Sequence, residues 1–164
     1  MSKALLVIDM QNYFVNKHTK ELPNKIRKFI LTNGEKFDYI LFTQFVNTKD
    51  SNFVKLMKWR KCFRSPETDI HPRLKEFSNF RNVFTKHTFS PFKSKEFLNF
   101  VKRNRINDFS ICGTDTEACV LSTAVDAFDS GYRVKILKNL CGSHHGNKAH
   151  KIGVELARNC IPVV

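Results

Sequence analysis

Short apolar runs alternate along this chain with longer segments of helical period. The nearly continuous apolar run at 3–9 is typical of a strand buried on both faces. Five later runs of similar character predict further strands, the last of them at a sheet edge: 39–45, 82–85, 108–112, 132–137 and 161–164. Apolar residues at helical spacing predict four helices: 23–36, 94–104, 116–130 and 148–158. The segment 47–65 is polar at first and then amphipathic, and its pattern selects no single element.

Strands separated by helices of this length predict βαβ units. We therefore expect an α/β fold in three layers, α/β/α, around a mainly parallel sheet of about six strands. No linker, repeat or low-complexity tract interrupts residues 1–164, so we expect a single domain. In such open sheets a ligand binds at the carboxyl ends of the strands, which makes those ends the place to look for chemistry.

Composition narrows the class of protein. The chain is 41% hydrophobic and 26% charged, as in a globular protein, and no apolar run has the roughly 18 to 20 residues that cross a bilayer. The apolar run at the amino terminus is too short for a signal peptide and ends on Asp9. We expect no membrane partner and a cytoplasmic location.

The five cysteines are odd in number and lack zinc-site spacing, so we expect free thiols. Four of them are interpreted as packing or surface residues: Cys62, Cys112, Cys141 and Cys160.

A net charge of +13 raises the question of a nucleic-acid partner. The basic residues are spread along the chain, and the densest group surrounds Trp59 and Phe63. Its members are Lys55, Lys58, Arg60, Lys61 and Arg64. This group is either a solvated amphipathic face or a surface for an anion or a single strand. We expect the former, and no nucleic-acid partner.

Three residues of complementary chemistry fall at predicted strand ends. Asp9 closes the first strand, Lys86 follows the strand at 82–85, and Cys119 opens the helix after the strand at 108–112. A thiol at a helix start lies near backbone N–H groups and the positive end of the helix dipole, which favours a thiolate. Asp9 is then a candidate base and Lys86 a candidate electrostatic partner.

The same helix start supplies further candidates. Thr116 is expected to cap the helix, and the backbone N–H groups of Asp115 and Cys119 are candidates for an oxyanion hole. Taken singly, each triad residue also has a plain structural reading: Asp9 as a cap, Lys86 as a surface lysine, and Cys119 as a small packed side chain.

Three motifs carry a resemblance to a known family. They are LVIDMQNYF at 6–14, KHTFSPF at 86–92 and GTDTEACV at 113–120. In this order and spacing they resemble the isochorismatase-like cysteine hydrolases, the superfamily of nicotinamidases and N-carbamoylsarcosine amidases. The resemblance covers nearly the whole chain and implies a Rossmann-like sheet.

The resemblance implies a catalytic triad of Asp9, Lys86 and Cys119. In the family the aspartate deprotonates the cysteine, the thiolate attacks an amide carbonyl, and water hydrolyses the resulting thioester. The family also has a cis peptide at the position of Thr114–Asp115, which turns the Asp115 N–H toward the oxyanion beside that of Cys119. Members form dimers or tetramers, so a homo-oligomer is implied.

The sequence gives less information about the substrate pocket. Phe14 matches a family position that stacks on flat substrates, and Trp59 lies in a segment that often forms a pocket wall. Thr114, beside the oxyanion hole, is the third tentative pocket residue.

The family's metal ligands are replaced here. Nicotinamidases bind a metal through an Asp-x-His pair just after the second strand and a further histidine downstream. This chain has Phe45 and Asn47 at the pair, and a lone His71 does not make a site. We therefore expect no catalytic metal and no cofactor. His144, His145 and His150 cluster in sequence, and their roles stay open between a metal site and capping or packing around the crevice.

The chain is thus expected to be a metal-independent cysteine hydrolase that cleaves a C–N bond of a small amide, imide or ureido compound. Two alternatives stay open. One is isochorismatase-type hydrolysis of a vinyl ether by Asp9 without covalent catalysis, and the other is a catalytically silent binding protein on the same fold.

Overall fold

A computed structural model describes residues 1–164 and contains one parallel sheet of five strands. The strands are β1 (Ser2–Ile8), β2 (Tyr39–Phe45), β3 (Val83–Lys86), β4 (Ile106–Thr114) and β5 (Arg133–Gly142). Their order across the sheet is β3-β2-β1-β4-β5. The chain therefore winds from β1 toward one edge and then returns to build the other, and the switch point lies between β1 and β4. Ligand sites of open parallel sheets lie at such a point.

Helices flank the sheet. They are α1 (Leu22–Asn33), α2 (Asn52–Lys55), α3 (Lys95–Arg103), α4 (Leu121–Asp129) and α5 (Asn147–Arg158). The α/β architecture and four of the helices agree with the sequence prediction. No helix combines the length and apolar character that a membrane crossing requires.

The centre of the core is β1. Every residue from Ala4 to Ile8 is fully buried. The strand pairs with β2 on one side and β4 on the other, and neighbouring layers cover both of its faces. This explains why its sequence is continuously apolar instead of alternating.

The prediction of about six strands is wrong by one. The segment 161–164 contributes only an isolated bridge between Val163 and Ile136. Pro162 has no backbone N–H and so cannot extend the ladder on its side.

The ambiguous segment 47–65 contains a single short helix, α2. Ser51 caps it by accepting the N–H of Val54 at 3.2 Å. Lys58 and Cys62 then adopt positive φ angles of 58° and 60°, which no helix accommodates. An amphipathic pattern therefore did not become a long helix here.

Strands β4 and β5 are longer than their apolar runs indicate. The ladder between them passes from the pair Ile111–Ile136 to the pair Gly113–Cys141, so β5 bulges before its last residues. Gly113 has a φ of 115°, and a Cβ there would collide with the backbone of Ile8. The missing side chain lets β1 and β4 approach closely where both strands end, and this places the two strand ends side by side.

Candidate active site

Asp9 follows β1 and is held by the end of the neighbouring strand β2. Its backbone N–H donates to Thr43 Oγ1 at 3.0 Å, and the Thr43 hydroxyl donates to Asp9 Oδ1 at 2.6 Å. Asp9 itself adopts a positive φ of 46° and is fully buried. These two hydrogen bonds with one threonine fix the direction of the Asp9 carboxylate. The other oxygen, Oδ2, receives no aligned hydrogen bond.

Lys86 is the last residue of β3 instead of following it, because that strand extends one residue further than predicted. Its side chain crosses the end of β2 and is completely buried. The ammonium Nζ lies 2.7 Å from Asp9 Oδ2 and 3.5 Å from Cys119 Sγ. It also donates to the Thr88 carbonyl at 3.0 Å and lies 5.1 Å from the centre of the Phe45 ring. Lys86 is therefore no surface lysine, since it joins the other two predicted triad residues.

The neighbouring groups keep Lys86 protonated despite its burial. Burial alone would lower the pKa of Lys86, but the Asp9 carboxylate and Cys119 outweigh it and the pKa is raised. The lysine thus stays charged.

Burial raises the pKa of the Cys119 thiol, Lys86 lowers it and Asp9 raises it further, with a net rise. This net rise opposes the expectation of a resting thiolate. Desolvation disfavours the thiolate more than one cation and a helix start favour it.

The turn that carries Cys119 begins directly after β4. Residues Thr116–Val120 form a π-helical turn that continues into α4. The Asp115 carbonyl accepts the N–H groups of Ala118 at 3.1 Å and Val120 at 3.0 Å but not that of Cys119 between them. The Thr114–Asp115 peptide is cis, as the resemblance implies, and the Asp115 N–H has no acceptor in the protein. Both predicted oxyanion-hole donors thus belong to one turn.

Thr116 does not cap this helix as predicted. Its hydroxyl donates to the Gly142 carbonyl at 3.1 Å and lies 2.7 Å from His150 Nδ1. The threonine therefore ties the turn to the end of β5 and to α5. Gly153 of α5 packs against the same turn so closely that a Cβ would lie 2.6 Å from the Glu117 nitrogen.

The tentative pocket residues have different surroundings. Phe14 is nearly buried and meets the Tyr13 ring edge-on at 5.1 Å. Trp59 is partly exposed, lies 5.7 Å from the Phe45 ring and donates its indole N–H to Tyr13 Oη at 3.2 Å. Both belong to an aromatic wall that reaches Lys86 through Phe45. Thr114 is fully buried, and its hydroxyl donates to the Asp9 carbonyl at 3.0 Å, so it braces the two strand ends.

Sequence reasoning missed three supporting side-chain roles, those of Gln11, Thr43 and Asp115. Gln11 Oε1 accepts the Phe45 N–H at 2.7 Å, and its Nε2 donates to the Phe45 and Thr68 carbonyls at 2.9 Å each. Thr43 holds Asp9 as described. The Asp115 carboxylate accepts the His144 N–H at 2.8 Å and lies 2.6 Å from His144 Nδ1. Gln11 and Asp115 carried a signal, because they belong to the first and third motifs, whereas Thr43 lies outside all three motifs.

The histidines that are close in sequence separate in space. His150 faces Thr116, whereas His144 and His145 lie beside Asp115. His71 accepts the N–H of Arg73 at 3.3 Å and so caps the short 3₁₀-helix Pro72–Phe77. It does not join any group of metal-binding side chains.

The last residue of β2 and the second residue after it, where the resemblance places a metal, have structural roles instead. Phe45 offers no ligand atom and packs on Lys86. Asn47 Nδ2 donates to the Trp59 and Lys61 carbonyls at 3.3 and 3.1 Å. Its Oδ1 accepts from Thr48 N at 2.9 Å and from Ser51 Oγ at 2.6 Å. Every polar atom of the asparagine is thus engaged, and these residues do not fit a metal ion.

The four other cysteines have the environments that the sequence suggested. Three of them, Cys62, Cys112 and Cys141, are buried, and Cys160 is exposed. All five thiols of the chain are free.

A surface cavity near the end of β5 has none of the three triad residues in its lining. It has a volume of about 690 Å³ and runs between α1 and the end of β5. Its cationic lining includes Lys25, Lys28 and Lys138, none of which forms an ion pair. Part of the positive charge is therefore gathered by the fold at a place where the sequence shows no basic tract.

Comparisons with known proteins agree with these observations. The family model of the isochorismatase domain matches residues 3–164. An uncharacterized isochorismatase family protein, PncA, of Bacillus subtilis is 24% identical over 96% of this chain and 100% of its own length. An isochorismatase-like hydrolase from Alkaliphilus metalliredigens superposes with a TM-score of 0.85 at 23% identity, over 99% of this chain and 94% of the other. A pyrazinamidase of Pyrococcus horikoshii in complex with zinc gives a TM-score of 0.80 at 20% identity, over 100% and 99% of the two chains.

Proposed function

The chain belongs to the isochorismatase family and is a hydrolase of that family, and on this premise we propose the bond it cleaves. The substrate is a small amide, imide or ureido compound, and a C–N bond breaks through a thioester on Cys119 without a catalytic metal. One observation carries this proposal. The buried Lys86 ammonium lies between Asp9 Oδ2 at 2.7 Å and Cys119 Sγ at 3.5 Å.

The first step moves the thiol proton. The Cys119 thiol is neutral at rest, and Asp9 Oδ2 is a buried carboxylate oxygen without an aligned donor. Asp9 takes the proton as Sγ attacks the substrate carbonyl carbon, and Lys86 stabilises the negative charge on sulfur during the transfer. A neutral resting thiol thus becomes a nucleophile only when a carbonyl is in place.

The second step expels the nitrogen. The carbonyl oxygen becomes an oxyanion, which the backbone N–H groups of Asp115 and Cys119 stabilise. The C–N bond breaks as Asp9 gives its proton to the leaving nitrogen, and a thioester remains on Cys119. Asp9, again a carboxylate, then takes a proton from water. The hydroxide attacks the thioester, and the thiol recovers the proton as the acid product leaves.

The residues after β2 support the absence of a catalytic metal. The Pyrococcus horikoshii pyrazinamidase was solved in complex with zinc. In this chain Phe45 and Asn47 replace the family's Asp-x-His pair, and the Asn47 side chain is fully hydrogen-bonded. Carbonyl activation is therefore assigned to the backbone N–H groups alone.

The surroundings of Cys119 favour the covalent route over the alternatives. Hydrolysis of a vinyl ether by Asp9 alone has no use for a thiol beside a buried ammonium. A silent binding protein would gain nothing from burying Lys86 and Asp9 together, because desolvating an ion pair is expensive.

Assembly and location belong to the same proposal. We expect a homo-oligomer, since α4 and α5 leave large apolar side chains half exposed: Phe128 at 56%, Ile152 at 44% and Leu156 at 50%. Five free thiols fit a reducing compartment, the cytoplasm. Light scattering on a sizing column measures the assembly directly.

The test combines product and intermediate. A panel of small amides, imides and ureido compounds, with nicotinamide included, is assayed for ammonia or amine release with and without a chelator. Intact-protein mass spectrometry after rapid acid quench should show an acyl adduct on Cys119. Cys119→Ala should abolish turnover and adduct, whereas the matched control Cys160→Ala should leave both unchanged. Activity that survives in Cys119→Ala, or that a chelator abolishes, would contradict the proposal.

A further inference from the structure

Two histidines and a carboxylate meet beside the nucleophile turn, on the side opposite Lys86. Asp115 precedes the turn, and His144 and His145 follow β5. One ligand atom from each residue lies within 4.8 Å of those of the other two. None of the three residues belongs to the proposed triad, and Lys86 comes from the opposite edge strand.

The Asp115 carboxylate lacks a permanent cation. The residue is 5% exposed, and no lysine or arginine lies within ion-pair distance. Its only ionic partner is His144, which carries charge only when protonated. Buried charges in proteins are paired or bind metal ions. The carboxylate therefore has no permanent cation within the protein, and a bound metal ion would supply one.

The His145 ring, which stacks on the His144 ring, can supply a further metal ligand atom. The His145 ring makes no hydrogen bond in the protein and packs on the His144 ring at 3.9 Å. Because His145 is exposed, its side chain can turn toward Asp115. Zinc–ligand bonds of about 2.0–2.1 Å place tetrahedral ligand atoms roughly 3.3 Å apart. The ligand atoms of the three residues lie within 4.8 Å of one another, so a shift of about an ångström brings them to that separation.

We propose that Asp115, His144 and His145 bind one divalent transition-metal ion of the zinc type. The ion takes the place of the proton between Asp115 Oδ2 and His144 Nδ1, now 2.6 Å apart, and the neutral imidazole that binds the ion carries its proton on Nε2 instead. Two imidazoles and one carboxylate suit zinc, cobalt and nickel, and three protein ligands leave one position open. The site differs in place from the family position near the end of β2, although both sets consist of one carboxylate and two histidines.

Bound metal would join two elements that border the proposed oxyanion hole. Asp115 supplies one of its N–H donors, and the loop with His144 also packs on Phe14, at 5.3 Å between ring centres. The ion therefore clamps the nucleophile turn to the loop after β5. This inference concerns binding alone and stands whether or not the proposed hydrolysis is correct.

The test uses the full chain without a polyhistidine tag. Zn²⁺ is titrated by calorimetry and Co²⁺ by visible absorption. We expect saturation at one ion per chain, with visible cobalt bands and no thiolate-to-cobalt charge-transfer band. His145→Ala should weaken binding by at least about tenfold, since ligand loss exceeds the effect of an outer-shell change. That side chain is exposed, so the variant keeps its fold, which circular dichroism verifies.

Two further variants sharpen the result. Asp115→Asn keeps the shape of the side chain and should also weaken binding at least tenfold. The matched control His18→Ala removes an exposed histidine outside the group and should leave the affinity unchanged. Absence of saturable binding, or equal affinity in His145→Ala and His18→Ala, would overturn the inference. A thiolate band that disappears in Cys119→Ser would overturn it too, because it places the ion on the nucleophile. None of these readouts needs a substrate.

Discussion

Lys86 Nζ lies 2.7 Å from Asp9 Oδ2, with both side chains completely buried. The two residues come from β3 and from the end of β1, with β2 between them in the sheet. A buried pair of this kind is strongly destabilised when one partner is removed, because the other charge is left without compensation.

Loss of Lys86 should therefore affect folding as well as chemistry. Lys86→Met is expected to lower the free energy of unfolding by about 3–5 kcal/mol, because Asp9 is left buried and unpaired. The double variant Asp9→Asn/Lys86→Met should recover much of this loss in urea denaturation and remain inactive. As a control, Lys93→Met breaks the exposed ion pair with Asp126 and should change stability by no more than about 1 kcal/mol. Equal effects of the two lysine variants would show that burial of Lys86 has no energetic consequence.

Thiol labelling should follow exposure and pKa. Near neutral pH, iodoacetamide is expected to modify the exposed Cys160 first and Cys119 slowly, because burial raises the pKa of Cys119. Asp9→Asn should speed labelling of Cys119, since the Asp9 carboxylate raises that pKa, and Lys86→Met should slow it. Peptide mass spectrometry gives the rate at each thiol. Fast labelling of Cys119 in the unmodified chain, lost in Asp9→Asn, would mean that the proton already resides on Asp9 at rest.

Stability should fall at alkaline pH. Burial raises the pKa of Cys62 and of Cys141 to about 12, from an ordinary thiol value of 9.0. A group whose pKa is higher in the folded state contributes stability below its unfolded pKa and loses it as the pH rises toward the folded value. Thermal unfolding midpoints should therefore be level up to about pH 9 and decline above it. Cys141→Ala should flatten the decline, whereas Cys160→Ser should leave it unchanged; an identical slope in both variants would refute this origin.

Thr43 should matter for activity more than a surface threonine. Thr43→Val removes both hydrogen bonds between that side chain and Asp9, and one buried acceptor and one buried N–H lose their partner. We expect a loss of about 1–3 kcal/mol in the free energy of unfolding and a reduced turnover number. The exposed Thr85→Val on β3 is the matched control and should change neither quantity appreciably. An unchanged turnover number in Thr43→Val would mean that Asp9 is oriented by other contacts.

Gly113 should tolerate no side chain. In Gly113→Ala the new Cβ meets the Ile8 backbone, and β1 and β4 must separate at the site. Gly131→Ala is a stringent control, because Gly131 also has a positive φ, of 83°, but open space around it. The control should cost about 1–2 kcal/mol from backbone conformation alone, and Gly113→Ala clearly more. Comparable urea midpoints for the two variants would indicate that the close approach of β1 and β4 is not required.

The sequence alone determined the identity of the strands and of the triad candidates. A strand buried on both faces needs a continuous apolar run, so residues 3–9 were enough to predict β1. Once a strand is located in the sequence, the residue at its carboxyl end is located too. Asp9, Lys86 and Cys119 could therefore be assigned to one edge of a sheet before any coordinates. The sixth strand and the cap at Thr116 failed because backbone pairing and hydrogen-bond partners depend on distant segments, here Ile136 and the Gly142 carbonyl.

Only the tertiary structure decided the electrostatic state of the site. The pKa of Cys119 depends on how completely other elements bury it and on how far Lys86 and Asp9 lie from its sulfur, and local pattern encodes neither quantity. The same holds for the pairing of Asp115 with His144, two residues that are 29 positions apart and meet only when β4 and β5 lie side by side. Periodicity reports which residues are buried, because burial repeats along an element. Contacts between the ends of separate strands do not repeat along the sequence, so they can be identified only in the folded structure.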